Sequence, residues 1–522
     1  MLAIAATHWR GLGAPAAARA VARHAATRSI SYWDAMHQRQ LEDARNKGAS
    51  SLQLLAWATR NMALNPLRAR RQVAREDGSA AADGAADDQM PTFASLFTDP
   101  LIGPAPTQRT TAAEAAQSSA QVTDARMLTR DFIHNSLYHP IYGYFSKNAY
   151  IFSPPEPVPF NSLKDSYAFM NYLGQLYKEV EDEYKHDSKI ARQTWHTPTE
   201  LFRPHYGYAV ARHIVDQFKT DARGARHLSI YEIGAGNGTL MTNILDYLAQ
   251  HEPEIYKTTE YNIVEISSKL SSRQSRSKLA RQFTARHAGV NIINKSIFDW
   301  DQLVKEPCFF IAMEVLDNFA HDMIRYDIES GKPLQSVVLI SDNGDFRDAY
   351  EPVSDPLIQK YLDLRSQTGY VSPLQRPSLL GAVKRLMPFS ANLSEPEFIP
   401  THALVLMDRL AQFFPNHRLI ISDFDWLSHT VPGVNAPVVQ TRYQGEMVPC
   451  TTFLVYPGWF DIFFPTNFEL LRDIYKLAVG RDSTVLTQRE FLEKHANLAA
   501  TRTTSGENPM LTFYENFKFI IS

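Results

Sequence analysis

Seven residues of this chain are of types, and at spacings, that could bind and modify a small ligand. In the stretch HLSIYEIGAGNGTLMTNILDYLAQ (His227 to Gln250), the acid Glu232 stands two residues before the first of three alternating glycines, Gly234, Gly236 and Gly238. Glycines let a backbone come close to a ligand, and the free N–H groups of a helix start favour an anionic group there. The spacing E-x-G-x-G-x-G differs from the G-x-G-x-x-G of a dinucleotide site. A second acid, Glu265, ends the apolar run of EYNIVEIS. Two more, Glu314 and Asp317, follow the apolar run CFFIAM. Paired carboxylates suit a guanidinium, which arrives charged because its pKa lies above about 12 and which binds them as a bidentate fork. An eighth candidate, Asp299, closes the run NIINKSIFDW. Plainer roles compete: a structural glycine turn, a surface or N-cap acid at Asp299, and a cap at Asp317 for a helix starting near Asn318.

The elements that must position these groups can be read around them. Leu228, Ile230, Tyr231 and Ile233 form a β-type run, and Leu240, Ile244, Leu245 and Leu248 fall on helical spacing. This is strand, tight turn, helix. The acids that follow then lie at carboxyl ends of later strands, where open α/β sheets bind ligands.

The acid-and-glycine turn resembles motif I of the class I S-adenosylmethionine (SAM) methyltransferases. The resemblance implies that Glu232, Gly234, Gly236 and Gly238 hold the methionine part of the cofactor, Glu265 the ribose hydroxyls and Asp299 the adenine. A longer likeness begins at MLTRDFIHNSLYHPIYGYFS (from Met127), which resembles the opening of the MidA-like family, with Phe145 in place of the last aromatic of its pattern. Tyr261 to Gln274 is similar to the family's second-strand segment, Phe309 to Asp322 to its acid-bearing segment, Gln335 to Asp345 to its strand hairpin, and Leu419 to Trp426 to its late strand. The likeness spans roughly residues 127 to 480 and implies a class I, Rossmann-like α/β methyltransferase sandwich with an N-terminal helical segment and an inserted helical cap. It also implies SAM as cofactor. The family's mitochondrial member is a complex I assembly factor that acts as a protein arginine methyltransferase, so Glu314 and Asp317 become candidate catalytic residues orienting a guanidinium nitrogen toward the methyl sulfonium.

The chain departs from the family on the substrate side. Met313 replaces the usual Asn, Asn318-Phe319-Ala320-His321 replaces a more apolar segment, Gln193 to Glu200 lacks the family's Gly-Asp-Phe, and Phe424-Asp425 follows Asp423 in place of Tyr-Gly. The alternatives are therefore a non-catalytic assembly factor for a respiratory complex or mitoribosome that keeps the fold, or a small-molecule methyltransferase.

Composition sets the frame. At 522 residues, a prior of roughly 150 per domain gives two to three domains. A net charge of −3 gives no global case for DNA, and two cysteines leave no disulfide framework or cysteine zinc site. The 17 histidines form no H-E-x-x-H, so no metal is expected. No run approaches the roughly 18 apolar residues of a membrane span. Residues 1–33 lack Asp and Glu but carry Arg10, Arg19, Arg23 and Arg28 among alanines, the composition of a mitochondrial transit peptide and hence of matrix import. Residues 34–126 read as a loosely ordered basic and Ala-rich extension, whose stretch at 68–75 could touch RNA or the ribosome. Then follow a helical family segment (127–225), the SAM-binding core (226–352), a Pro-rich inserted cap (353–400) and the rest of the sheet (401–522), in which Thr451–Phe464 and Leu511–Ile521 are expected as its last antiparallel strands. The expected partner is a protein substrate, with a complex I subunit implied by the resemblance.

Overall fold

The computed structural model describes residues 106–147, 149–184, 193–220, 227–265, 286–372, 374, 392–428, 430, 434–443 and 446–522. Contacts divide the chain into Met1–Ser79 and Ala80–Ser522, and every described residue belongs to the second unit. The expected transit peptide, the basic stretch at 68–75 and residues 375–391 of the expected cap lie outside the described residues.

The central sheet has seven strands: β1 (Ser229–Ile233), β2 (Glu260–Val264), β3 (Val290–Ile293), β4 (Cys308–Met313), β5 (His417–Phe424), β6 (Thr484–Thr487) and β7 (Phe517–Ile521). Their order is β3-β2-β1-β4-β5-β7-β6. β1 to β5 run parallel, and β7 is antiparallel to both β5 and β6. This topology is the class I methyltransferase fold. β4, read as one apolar run, is buried at every residue because it is covered on both faces. Its alternation splits the core: Phe309 and Ile311 join one hydrophobic cluster, Phe310 and Ala312 the other.

Helices flank both faces. The labels used below are α1 (Thr129–Tyr138), α2 (His205–Thr220), α3 (Thr239–His251), α4 (Pro356–Gln367), α5 (Thr401–Phe413), α6 (Phe468–Val479) and α7 (Gln488–His495). Residues of α2, α3 and α7 fill the first cluster, and residues of α4, α5 and α6 the second. α1 ends at Tyr138, where His139-Pro140 stops it.

A second sheet orders Ala125–Leu128, Pro333–Ile340, Asp322–Tyr326 and Glu397–Ile399, with Phe346–Pro352 also on Pro333–Ile340. The hairpin expected near Gln335–Asp345 is thus present. Arg130 of α1 ties these parts together through Asp322 (2.7 Å) and, bidentately, Asp355 (2.8 and 2.6 Å).

Three expectations need correction. Order begins well before Met127: Thr111 and Glu114 form a capping box on Ala112–Ala115, and Ala125–Leu128 is a paired strand. Arg109 and Arg126 both reach Glu351 there, and Ala125 and Met127 are buried. The described part of 353–400 is also more than a cap of short helices. Asp355 caps α4, Ile358 and Tyr361 are buried in the second core cluster, and the buried pair Arg365–Glu397 (3.0 Å) joins α4 to the second sheet. Finally, Thr451–Phe464 does not extend the main sheet. Only Asp461–Phe463 is a strand, in a small three-stranded sheet with Val438–Tyr443 and Glu446–Cys450, whereas Phe517–Ile521 does complete the main one.

Among the described residues, no helix is long and apolar enough to cross a membrane.

Candidate active site

The glycine turn joins β1 to α3. Gly234 (φ 67°), Gly236 (φ 52°) and Gly238 (φ 72°) all occupy the left-handed region, with Gly238 as the N-cap of α3. A side chain would strain that backbone. It would also collide: a Cβ would lie 2.8 Å from Val315 Cγ2 at Gly234 and 2.7 Å from Ile151 Cδ1 at Gly236. Gly234 and Asn237 are exposed, so the turn offers its backbone to a ligand.

Glu265 follows β2 directly, half-buried, its N–H on the Ile293 carbonyl at 3.1 Å. Asp299 is exposed on a short turn, Ile297–Asp299, that follows β3. The turn, Glu265 and Asp299 therefore stand in sequence at the carboxyl ends of three adjacent strands, the layout needed for an extended cofactor with methionine, ribose and adenine parts. Glu232 is placed differently. It is buried on the α2–α3 side of the sheet and accepts the Tyr261 hydroxyl at 2.8 Å. Burial pushes its carboxyl up to about 7, with the Tyr261 bond opposing and Glu265 adding to the rise.

The acids after β4 form the second half. Glu314 has a left-handed backbone (φ 55°) without being glycine, and its N–H donates to the Ser422 carbonyl at 2.9 Å. Such a conformation persists only where its surroundings over-determine it. Asp423, at the end of β5, does much of that. One of its oxygens, Oδ2, accepts three successive amides, from Val315 (3.1 Å), Leu316 (2.8 Å) and Asp317 (3.1 Å), while Oδ1 accepts from Phe424 (2.8 Å). Converging amides of this kind make an anion nest. Even so, burial outweighs the four bonds and moves the Asp423 carboxyl up to about 7.

Asp317 does not cap a helix. No helix starts at Asn318; the chain makes a turn closed by Phe319 N–H to Leu316 O (3.1 Å). The Asp317 side chain is buried, and its Oδ1 has no hydrogen-bond partner. Asp461 lies close by, also buried, accepting from Asn318 Nδ2 at 3.1 Å, and the Tyr138 hydroxyl donates to Asn318 O at 3.2 Å. Burial holds Glu314 and Asp317 well above the usual carboxylate range. The charged neighbours that raise them further are all carboxylates: Asp423 and Glu200 for Glu314; Asp423, Asp461 and Glu314 for Asp317.

The structure thus brings Glu314 and Asp317 together and adds three acids that sequence reasoning gave no role. Asp423 is the anchor of their loop. Asp461 comes from a strand of another sheet. Glu200 sits beside the glycine turn, its Oε1 accepting from Asn237 Nδ2 (3.0 Å) and Thr239 Oγ1 (2.8 Å). Its only sequence signal is the Thr197-Pro198-Thr199-Glu200 spacing, in which Thr197 caps a single turn. Among the described residues, no three His, Cys, Asp or Glu side chains are arranged as metal ligands.

Fold and turn together define a class I SAM-dependent methyltransferase. The sequence profile of the S-adenosyl-L-methionine-dependent methyltransferase family matches residues 209–487, and the chain belongs to that family as a divergent MidA-like member. Its cofactor is SAM. The Schizosaccharomyces pombe protein named "Protein arginine methyltransferase NDUFAF7 homolog, mitochondrial" is 24% identical over 387 residues, covering 72% of this chain and 80% of its own. A Burkholderia thailandensis protein crystallised with S-adenosyl-homocysteine (SAH) is 16% identical, covers 78% of this chain and 89% of its own, and superposes with a TM-score of 0.48. A glycopeptide N-methyltransferase complexed with sinefungin is 9% identical, over 61% of this chain and 87% of its own, at a TM-score of 0.26.

Proposed function

We propose that this chain methylates arginine in a mitochondrial protein, in support of complex I assembly, with Glu314 and Asp317 holding the substrate guanidinium. The observation that carries this reading is the Asp317 carboxylate: buried, with one oxygen unpartnered, among further buried acids. Burying such oxygens without donors costs several kcal/mol in general. A guanidinium supplies five N–H donors in a planar fork and a positive charge, which is what this set of acceptors lacks. The name of the yeast relative supports the arginine substrate and the mitochondrial address, and the acid-free composition of residues 1–33, with arginines among alanines, agrees with that address. The complex I partner and the matrix compartment are further parts of the proposal.

When bound, SAM supplies an electrophilic methyl group on a sulfonium. The chain's own residues do the rest. The glycine turn, Glu265 and Asp299 bind and align the cofactor. Glu314 and Asp317 orient one guanidinium nitrogen, exclude water from it and accept its proton as the methyl arrives. The test is quantitative proteomics of methyl-arginine in mitochondria with and without the gene, followed by transfer to the affected peptide in vitro. No lost mark, or a lost mark on a metabolite alone, rejects the reading.

The raised acids give a pH prediction. Burial favours the protonated form of Glu314 and Asp317, whereas a bound guanidinium favours the ionised one, so binding an arginine peptide in the presence of SAH should release protons. Affinity should therefore tighten as pH rises, and the calorimetric enthalpy should differ between phosphate and Tris buffers. Equal enthalpies would show that these acids do not ionise on binding.

A further inference from the structure

Glu200 is only 3% exposed. Its Oε1 is satisfied by Asn237 and Thr239, the residues on either side of Gly238 in the glycine turn. Its Oε2 is buried and has no donor. A buried carboxylate oxygen in that state is unfavourable until something donates to it. Its charge also reaches Glu314, so it lies near the acid loop as well as beside the cofactor turn.

A ligand laid over the turn by its amino-acid end carries two charged groups. Its carboxylate suits the turn's N–H groups and the start of α3. Its α-ammonium has three donors and no acceptor, and needs an acid. Glu232, the acid that the resemblance would offer, is already buried against the Tyr261 hydroxyl. Glu200 has an oxygen to spare, and it is fixed in place by bonds to the same turn that receives the ligand.

We propose that Glu200 binds the α-ammonium group of the cofactor through Oε2. The inference rests on the cofactor placement proposed above. It makes this end of the site selective for amino-acid-bearing nucleosides over nucleosides whose tail lacks the amine.

The test is calorimetry on the full chain with two probes: SAH, and its deamino analogue in which hydrogen replaces the α-amino group. Wild type should bind SAH roughly ten- to a hundredfold more tightly than the analogue, the usual scale for one charge-assisted hydrogen bond. Glu200→Gln keeps an oxygen for Asn237 and Thr239. It should weaken SAH by a similar factor and leave the analogue within about threefold of wild type. Equal weakening of both probes would make Glu200 a brace of the turn and overturn the proposal; so would undiminished SAH affinity. Gly236→Val is run beside it: if that variant also binds SAH normally, the cofactor placement itself has failed. Should Glu200→Gln not fold, equal wild-type affinity for the two probes refutes the proposal alone.

Discussion

Replacing Glu314 by glutamine should lower methyl transfer to an arginine peptide by about 10²-fold or more while leaving SAH affinity nearly unchanged. Losing one positioning or electrostatic contact of about 2.7–4 kcal/mol gives an effect of that size. Glutamine keeps the shape and the backbone angles of Glu314, and it resembles the protonated acid that burial already favours. The apo protein should therefore melt no earlier than wild type. Turnover is measured in steady state and SAH binding by calorimetry. Unchanged turnover would remove Glu314 from the chemistry, and a matching fall in SAH affinity would reassign it to the cofactor.

Gly236→Val should abolish cofactor binding, an effect of about 10³-fold or more. Its backbone angle of +52° disfavours any side chain, and the new Cβ would start 2.7 Å from Ile151 Cδ1. That Ile151 atom is the end of a flexible chain and could move, so the backbone angle is the stronger reason. A β-branched residue is the least able to adopt it, at a cost of about 1–2 kcal/mol before any contact with ligand. The valine methyls then occupy the space over the turn. Binding of SAH at wild-type affinity would remove the turn from the site. Expressed in a deletion strain, this variant and Glu314→Gln together separate an enzyme from a scaffold. Rescue lost in both, with SAH binding lost only in Gly236→Val, indicates chemistry. Full rescue by both stably expressed proteins would favour a non-catalytic assembly factor.

What could be read in advance was what lies close along the chain. The strand-turn-helix around Gly234 to Gly238 depends on residues a few positions apart, and β4 announces itself as CFFIAM because both its faces are covered. Glu314 and Asp317 were visible because they follow that strand. The rest of the acid site depends on distant pairings. Asp461 arrives on a strand of a separate sheet, and Asp423 reaches back more than a hundred residues to three amides that any sequence would supply. No local pattern encodes such contacts. Glu200 was obscured because the family's Gly-Asp-Phe is missing upstream of it. The early start of order is a different case: Thr111-x-x-Glu114 is a capping-box spacing, but the Ala-, Ser- and Thr-rich surroundings suggest a linker. Composition there outweighed a true local signal.

The left-handed backbone at Glu314 has an evolutionary consequence. Holding a non-glycine residue in that conformation costs roughly 1–3 kcal/mol, and burying its acid group among other acids adds to it. Glycine would relieve both, so Glu314→Gly should raise the melting temperature of the apo protein while abolishing transfer. On the role proposed for Glu314, a stabilising drift at this position is therefore also an inactivating one. A lineage that kept the fold but no longer needed the reaction would be expected to accumulate glycine or asparagine here, and to grow more stable as it did so. If the proposed role holds, position 314 would sort relatives of this chain into working enzymes and retired ones, with an unfolding curve as the check on each assignment.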